Sequence, residues 1–131
     1  MLVTPSILIT DDDRGFRETL RGIFEPRGFR TLLAEDGQEA LEIVHTHDVH
    51  LLLLDMHMPR LTGLDVIRRV KQFKALLPCI LLSADADEAL VRQAMLAQAF
   101  DVLSKPVTRN RITTTVELAI QRTYRQFPGF G

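Results

Sequence analysis

One cysteine, Cys79, is too few for an internal disulfide, so no covalent staple holds this chain, and a reducing compartment fits it. Charge of one sign is equally scarce. Lys and Arg number 16 against 17 Asp and Glu, and the net charge of -1 gives no global footprint for nucleic acid or an anionic membrane surface. No apolar run approaches the length of a membrane span. The start, Met1-Leu2-Val3-Thr4-Pro5, lacks the basic region and long apolar core of a signal peptide. There is no internal repeat and no low-complexity tract. No Gly-x-Gly-x-x-Gly follows the first apolar run, which disfavours a dinucleotide site. The expectation is a cytoplasmic protein that neither enters a membrane nor binds nucleic acid directly. What is present is 131 residues, 46% hydrophobic and 25% charged, the size and balance of one globular domain. Cys79 sits in the apolar stretch Pro78-Cys79-Ile80-Leu81-Leu82 with nothing nearby to lower its pKa, so it reads as a small core residue.

Short aliphatic runs alternate with segments of helical period. Strands are expected over 7–10, 30–34, 50–54, 79–83 and 101–104. Three of these are continuously apolar, as strands covered on both faces are. Between them, Phe16, Leu20, Ile23 and Phe24 mark a first helix, ended by Glu25-Pro26-Arg27-Gly28. Ala40, Leu41 and Val44 mark a second, opened by Asp36-Gly37, and Val66, Ile67, Val70 and Phe73 a third, after Thr62-Gly63. Leu90, Val91, Ala94 and Met95 mark a fourth, with Asp85, Asp87 and Glu88 suited to its N-terminal dipole. Ile112, Val116, Ala119 and Ile120 mark a fifth, with Thr108 as N-cap. Strict alternation of five strands and five helices predicts an α/β fold: a parallel sheet with helices on both faces. The tail Gln126-Phe127-Pro128-Gly129-Phe130-Gly131 breaks any helix and reads as a flexible terminus or the stub of a linker.

Asp55 closes the run Leu51-Leu52-Leu53-Leu54. An ionised carboxylate at the tip of a buried strand costs several kcal/mol unless it is paired or holds a metal. Asp11, Asp12 and Asp13 follow another aliphatic run, Ile7-Leu8-Ile9-Thr10. Ligands of open α/β sheets bind beyond the carboxyl ends of the strands. In the strand order 2-1-3-4-5, those ends collect Asp11 and Asp12, then Asp55, Ser83 and Lys105. Acids that would repel one another call for a hard cation such as Mg²⁺, while a hydroxyl and an ammonium suit phosphoryl oxygens. Asp13 reads as a helix cap. The spacing of His45, His47 and His50 fits no zinc motif, and they suit the C-terminal end of a helix dipole.

Taken in order, Ile7-Leu8-Ile9-Thr10-Asp11-Asp12-Asp13, Ala34-Glu35-Asp36-Gly37-Gln38-Glu39-Ala40-Leu41, Leu54-Asp55-Met56-His57-Met58-Pro59 with Gly63-Leu64-Asp65, Leu82-Ser83-Ala84 and Ser104-Lys105-Pro106 resemble the receiver domain of bacterial two-component response regulators. The plan is similar to that of the chemotaxis regulator. The resemblance implies a flavodoxin-like doubly wound sheet, with residues 1–125 as the receiver and 126–131 as tail. It implies that Asp55 accepts a phosphoryl group from the phosphohistidine of a sensor histidine kinase or from a phosphotransfer protein. Asp12, Asp55 and the backbone carbonyl of His57 would ligate Mg²⁺, with Asp11 acting through a water. Ser83, Ala84 and Lys105 would hold the phosphoryl group, Ser83 moving as the switch, and the Lys105–Pro106 bond would be cis. The output surface would be helix 4, strand 5 and helix 5, with a homodimer there as one form. Such a domain is not an enzyme beyond supporting its own phosphorylation and dephosphorylation.

Two positions depart from that pattern. Val102 stands where an aromatic ring commonly rotates with the switch; Phe100, two residues earlier, is expected on the same strand face. Gln98 stands where glycine is common. In the family, the positions of His57 and Asp85 influence how fast the phosphoryl group is lost. Other classes fit less well. An Mg²⁺-dependent aspartyl phosphatase or mutase resembles this plan but has a second acid where His57 stands. A degenerate receiver serving only as an interaction module would not need the full set of acids.

Overall fold

The computed structural model describes residues 4–125. The expected tail, 126–131, lies outside the described residues. Five strands, β1 (Ser6–Thr10), β2 (Arg30–Ala34), β3 (Leu51–Asp55), β4 (Cys79–Ser83) and β5 (Asp101–Ser104), alternate with five helices. The helices are α1 (Arg14–Phe24), α2 (Gly37–Thr46), α3 (Gly63–Phe73), α4 (Glu88–Leu96) and α5 (Arg109–Tyr124). The sheet is parallel throughout, in the order β2-β1-β3-β4-β5. This is the expected doubly wound architecture.

Period-two alternation divides the core in two. Leu8, Leu52, Leu54, Cys79 and Leu81 face α2, α3 and α4. Ile7, Ile9, Leu51, Leu53, Ile80 and Leu82 face α1 and α5. The strands carry apolar residues at consecutive positions because both faces are covered. β3 lies one residue later than expected. His50 instead stands before the strand, its N–H bonded to the Ser6 carbonyl at 2.9 Å and its Nδ1 accepting the Ser6 N–H at 2.9 Å. Asp55 takes the last place of the ladder, opposite Leu82.

The helix ends follow their signals. Asp13 caps α1, accepting from the N–H groups of Gly15 and Phe16, and Thr108 caps α5. Thr62 and Asp65 form a reciprocal capping box on α3. After α1 the chain tightens into a 3₁₀ turn over Glu25–Arg27, and Gly28 takes the left-handed conformation, φ 94°. One expectation fails. Phe100 packs on the α1/α5 side of the sheet, whereas Val102 packs on the α2/α3/α4 side. Phe100 precedes the first residue of β5, so strand alternation does not reach it.

Candidate functional site

At the carboxyl ends of the strands the chain places three carboxylates together. One oxygen each from Asp11, Asp12 and Asp55 lie within 4.8 Å of one another, the one such grouping of metal-binding side chains among the described residues. Asp11 and Asp55 are buried and Asp12 is exposed. Lys105 reaches across from β5, its Nζ 3.0 Å from Asp11 Oδ2 and 3.0 Å from Asp55 Oδ1. Three carboxylates against one ammonium leave a formal surplus of two negative charges. Oxygen donors with that surplus fit a small hard divalent cation.

Each member is held by its neighbours. The Asp11 N–H donates to the Ala34 carbonyl at 3.1 Å, and Asp11 Oδ1 accepts the Asp13 N–H at 2.9 Å. The Arg17 guanidinium donates to the Asp11 carbonyl at 2.6 Å. Burial pushes the Asp11 carboxyl above the ordinary range, and the charge on Asp55 adds to the rise; the Asp13 N–H and the Lys105 ammonium pull the other way. Burial alone would lower the Lys105 pKa, but hydrogen bonds to Asp55 and Asp11 outweigh it and raise it. The Lys105 ammonium also lies 4.3 Å from the centre of the Phe16 ring. The Lys105–Pro106 peptide is cis, and the Lys105 N–H donates to the Ser83 carbonyl at 2.9 Å.

Asp55 is held from below by close packing. The Met56 N–H donates to the Leu82 carbonyl at 2.8 Å, and the Gly63 N–H to the Met56 carbonyl at 3.0 Å. A Cβ on Gly63 would overlap the Asp55 carbonyl and lie 2.6 Å from Leu81 Cδ1. Only glycine lets α3 start this near the end of β3.

Ser83 is fully buried at the end of β4, and its Oγ accepts the Asp85 N–H at 3.1 Å. Ala84 follows it, exposed. The exposed His57 ring extends from the β3–α3 loop toward both, with Nε2 3.5 Å from Ser83 Oγ and 3.5 Å from Asp85 Oδ2. Val102 is half-buried against the α4 side of the core.

The chain from Ile7 to Glu117 matches the family model of the response regulator receiver domain. It belongs to that family. Among curated proteins it is 34% identical over 119 residues to response regulator RR06 of Streptococcus pneumoniae, covering 91% of this chain and 54% of that protein. It is 39% identical over 118 residues to response regulator MprA of Mycobacterium ulcerans, covering 89% and 50%. This chain thus spans about half the length of the curated relatives it matches. A receiver domain protein of Clostridium thermocellum has a solved structure that superposes with a TM-score of 0.87 at 27% identity, over 94% of this chain and 99% of that one. A receiver protein of Pseudomonas putida gives 0.85 at 28% identity, over 90% and 99%. Receiver domains are the regulatory phosphoacceptors of two-component systems, and response regulators take phosphoryl groups from histidine kinases.

Within this receiver domain, the residues that the sequence marks at four separate strand ends meet at one edge. Three contacts have no sequence signal of their own: Arg17 on the Asp11 carbonyl, Phe16 under Lys105, and the His57–Asp85 approach. The histidines 45, 47 and 50 do not converge. His45 stacks on Phe73 at 3.9 Å, His47 pairs with the Thr46 hydroxyl, and His50 faces Ser6 and Tyr124. Cys79 is buried, its thiol pushed up to about 12 by desolvation. Among the described residues no helix is long and apolar enough to cross a membrane.

Proposed function

We propose that Asp55 is the phosphoacceptor of a signalling switch loaded by a sensor histidine kinase or a phosphotransfer protein. The observation that carries this reading is the buried Asp55 carboxylate, 3.0 Å from a lysine that it shares with Asp11. An Asp55 oxygen attacks the phosphorus of a phosphohistidine. The new P–O bond forms as the P–N bond breaks, and the imidazole leaves with the electron pair. Asp12, Asp55 and the His57 backbone carbonyl would hold Mg²⁺, and Asp11 would reach it through a water. Bound there, the cation offsets the charge of the phosphoryl oxygens.

Phosphorylation adds roughly -1.5 to -2 of charge at the end of β3. The Lys105 ammonium, now divided between two carboxylates, gains an oxygen partner of higher charge. Ser83 Oγ, followed by Ala84 at the phosphoryl-facing turn, moves toward the same oxygens. These contacts exist only in the loaded state, as a two-state shift requires. The surface formed by α4, β5 and α5 carries the change to a partner or to a second copy of the domain. Residues 1–125 act as the receiver unit.

Intact mass spectrometry after incubation with acetyl phosphate tests the assignment. The expected result is one phosphoryl adduct on the wild type in Mg²⁺, none after chelation, and none on Asp55→Asn. Equal labelling of wild type and Asp55→Asn would overturn it.

A further inference from the structure

The Lys105 ammonium has three donor protons and no acceptor. Two of its neighbours are carboxylate oxygens, Asp11 Oδ2 and Asp55 Oδ1, each 3.0 Å away. Its third is the face of the Phe16 ring, with the ring centre 4.3 Å from Nζ. An aromatic face carries partial negative charge and attracts a cation held within about 6 Å of its centre.

The ring is held in that place by the acids themselves. Asp13 Oδ1 accepts the Gly15 N–H at 2.8 Å and the Phe16 N–H at 3.3 Å, which starts α1. The Asp13 N–H donates in turn to Asp11 Oδ1 at 2.9 Å. The contacts close on themselves: Asp11 to Asp13, Asp13 to Phe16, Phe16 to Lys105, and Lys105 back to Asp11. Phe16 also packs against the core on the α1/α5 side while staying half-buried. The three neighbours of Lys105 differ in what loading Asp55 does to them. Hydrogen bonds to the carboxylates are directional, and both carboxylates change partners when a cation and a phosphoryl group arrive. Attraction to a ring face depends little on where the individual N–H bonds point. It alone persists while the ammonium turns from a carboxylate to a phosphoryl oxygen. A cation held in this way is in position before the charge develops, and needs no reorganisation as it does.

We propose that Phe16 is a positioning residue for phosphoryl transfer: its ring holds the Lys105 ammonium beside Asp55 and guides it onto the oxygens of the incoming phosphoryl group. The inference rests on Asp55 being the acceptor. The bonds made and broken are those given above, and the ring neither gives nor takes a proton. Its part is to keep one cation close to two places in turn, the free carboxylates and the loaded one.

NMR reads the contact, and labelling kinetics read its effect. The ring current of Phe16 should shift the protons at the tip of the Lys105 side chain upfield. Phe16→Leu should remove that shift, and beryllofluoride with Mg²⁺, a mimic of the phosphoryl group, should preserve it in the wild type. Labelling by acetyl phosphate, followed by intact mass spectrometry, should slow about 3- to 5-fold in Phe16→Leu. A trifluorinated phenylalanine at position 16 nearly keeps the size of the ring but weakens the negative charge of its face, and should slow labelling by a similar factor. Phe16→Tyr, which keeps that face, should stay within about twofold of the wild type. Unchanged labelling with either the leucine or the trifluorinated ring would overturn the proposal, as would a lysine shift lost on adding beryllofluoride. Failure of the wild type to label would overturn the acceptor reading and this role with it, while the resting contact would still show in the lysine shift.

Discussion

Lys105 is the one ammonium between two buried carboxylates, and its loss leaves Asp11 and Asp55 facing each other. Breaking a buried ion pair costs about 3–5 kcal/mol, but Lys105 is a quarter exposed, and solvent screening reduces that to about 1–3 kcal/mol. Urea unfolding of Lys105→Met near neutral pH should show a loss of that size, partly restored by Mg²⁺. The sign with pH follows from Asp11. A carboxyl whose folded pKa lies above its ordinary 3.8 carries stability below that value and loses it as pH rises through the raised one. The deficit of Lys105→Met should therefore shrink in acid, and a deficit that grows there would contradict the account. His50 behaves in the opposite sense. Desolvation lowers its pKa from the ordinary 6.5, with Arg30 adding to the fall and Asp48 opposing it. Its neutral ring accepts the Ser6 N–H at the start of β1. A lowered histidine pKa carries stability above the ordinary value and loses it as pH falls through the folded one. The urea midpoint should drop between about pH 7.5 and about pH 5.5, and His50→Asn, which cannot charge, should drop less.

At the scale of the element, α4 ends in a strained residue. Gln98 follows its C-cap Ala97 with φ 68°, its N–H donating to the Met95 carbonyl at 3.0 Å, and the Ala99 N–H returns to the Ala94 carbonyl at 2.9 Å. This is the left-handed helix stop that glycine takes without penalty. Gln98→Gly should stabilise the chain by about 0.5–1 kcal/mol, while Gln98→Ala keeps the strain and gains almost nothing. Equal urea midpoints for the two variants would remove the strain argument. α3 poses the reverse case. Gly63→Ala forces a methyl group against the Asp55 carbonyl and Leu81. The expected cost is about 1–3 kcal/mol, with slower acetyl-phosphate labelling because the backbone of Asp55, the proposed acceptor, must shift. The element boundaries were largely legible in the sequence because local signals set them: Asp13, Thr62 and Thr108 cap the helices they precede. The exception is instructive. The side taken by Phe100 depends on where β5 begins, and that is set by pairing with β4 across the sheet rather than by residues next to it.

At the scale of the molecule, the parallel order brings four distant strand ends to one edge, which is why the acids, Ser83 and Lys105 could be grouped from sequence alone. What could not be read is how α1 leans over that edge. The approach of Arg17 to the Asp11 carbonyl and of Phe16 to Lys105 depends on helix placement, which no local spacing encodes. The same sheet decides how a signal leaves the site. Val102 packs on the α2/α3/α4 side beside α4, and its branched side chain is stiff at χ1, so it has no second buried state to adopt. Phe100, on the opposite face, is not placed to substitute for a rotating ring there. On the function proposed above, coupling is expected to run through the β4–α4 loop. Ser83 Oγ holds the Asp85 N–H two residues before the cap of α4, and drawing that hydroxyl toward a phosphoryl group releases the turn. Hydrogen exchange with and without beryllofluoride, which mimics the phosphoryl group, separates the two routes. Wild type should change across residues 84–105, Val102→Ala should retain most of that change, and Ser83→Ala should lose most of it. A response abolished by Val102→Ala and preserved in Ser83→Ala would place the relay in the strand rather than in the loop.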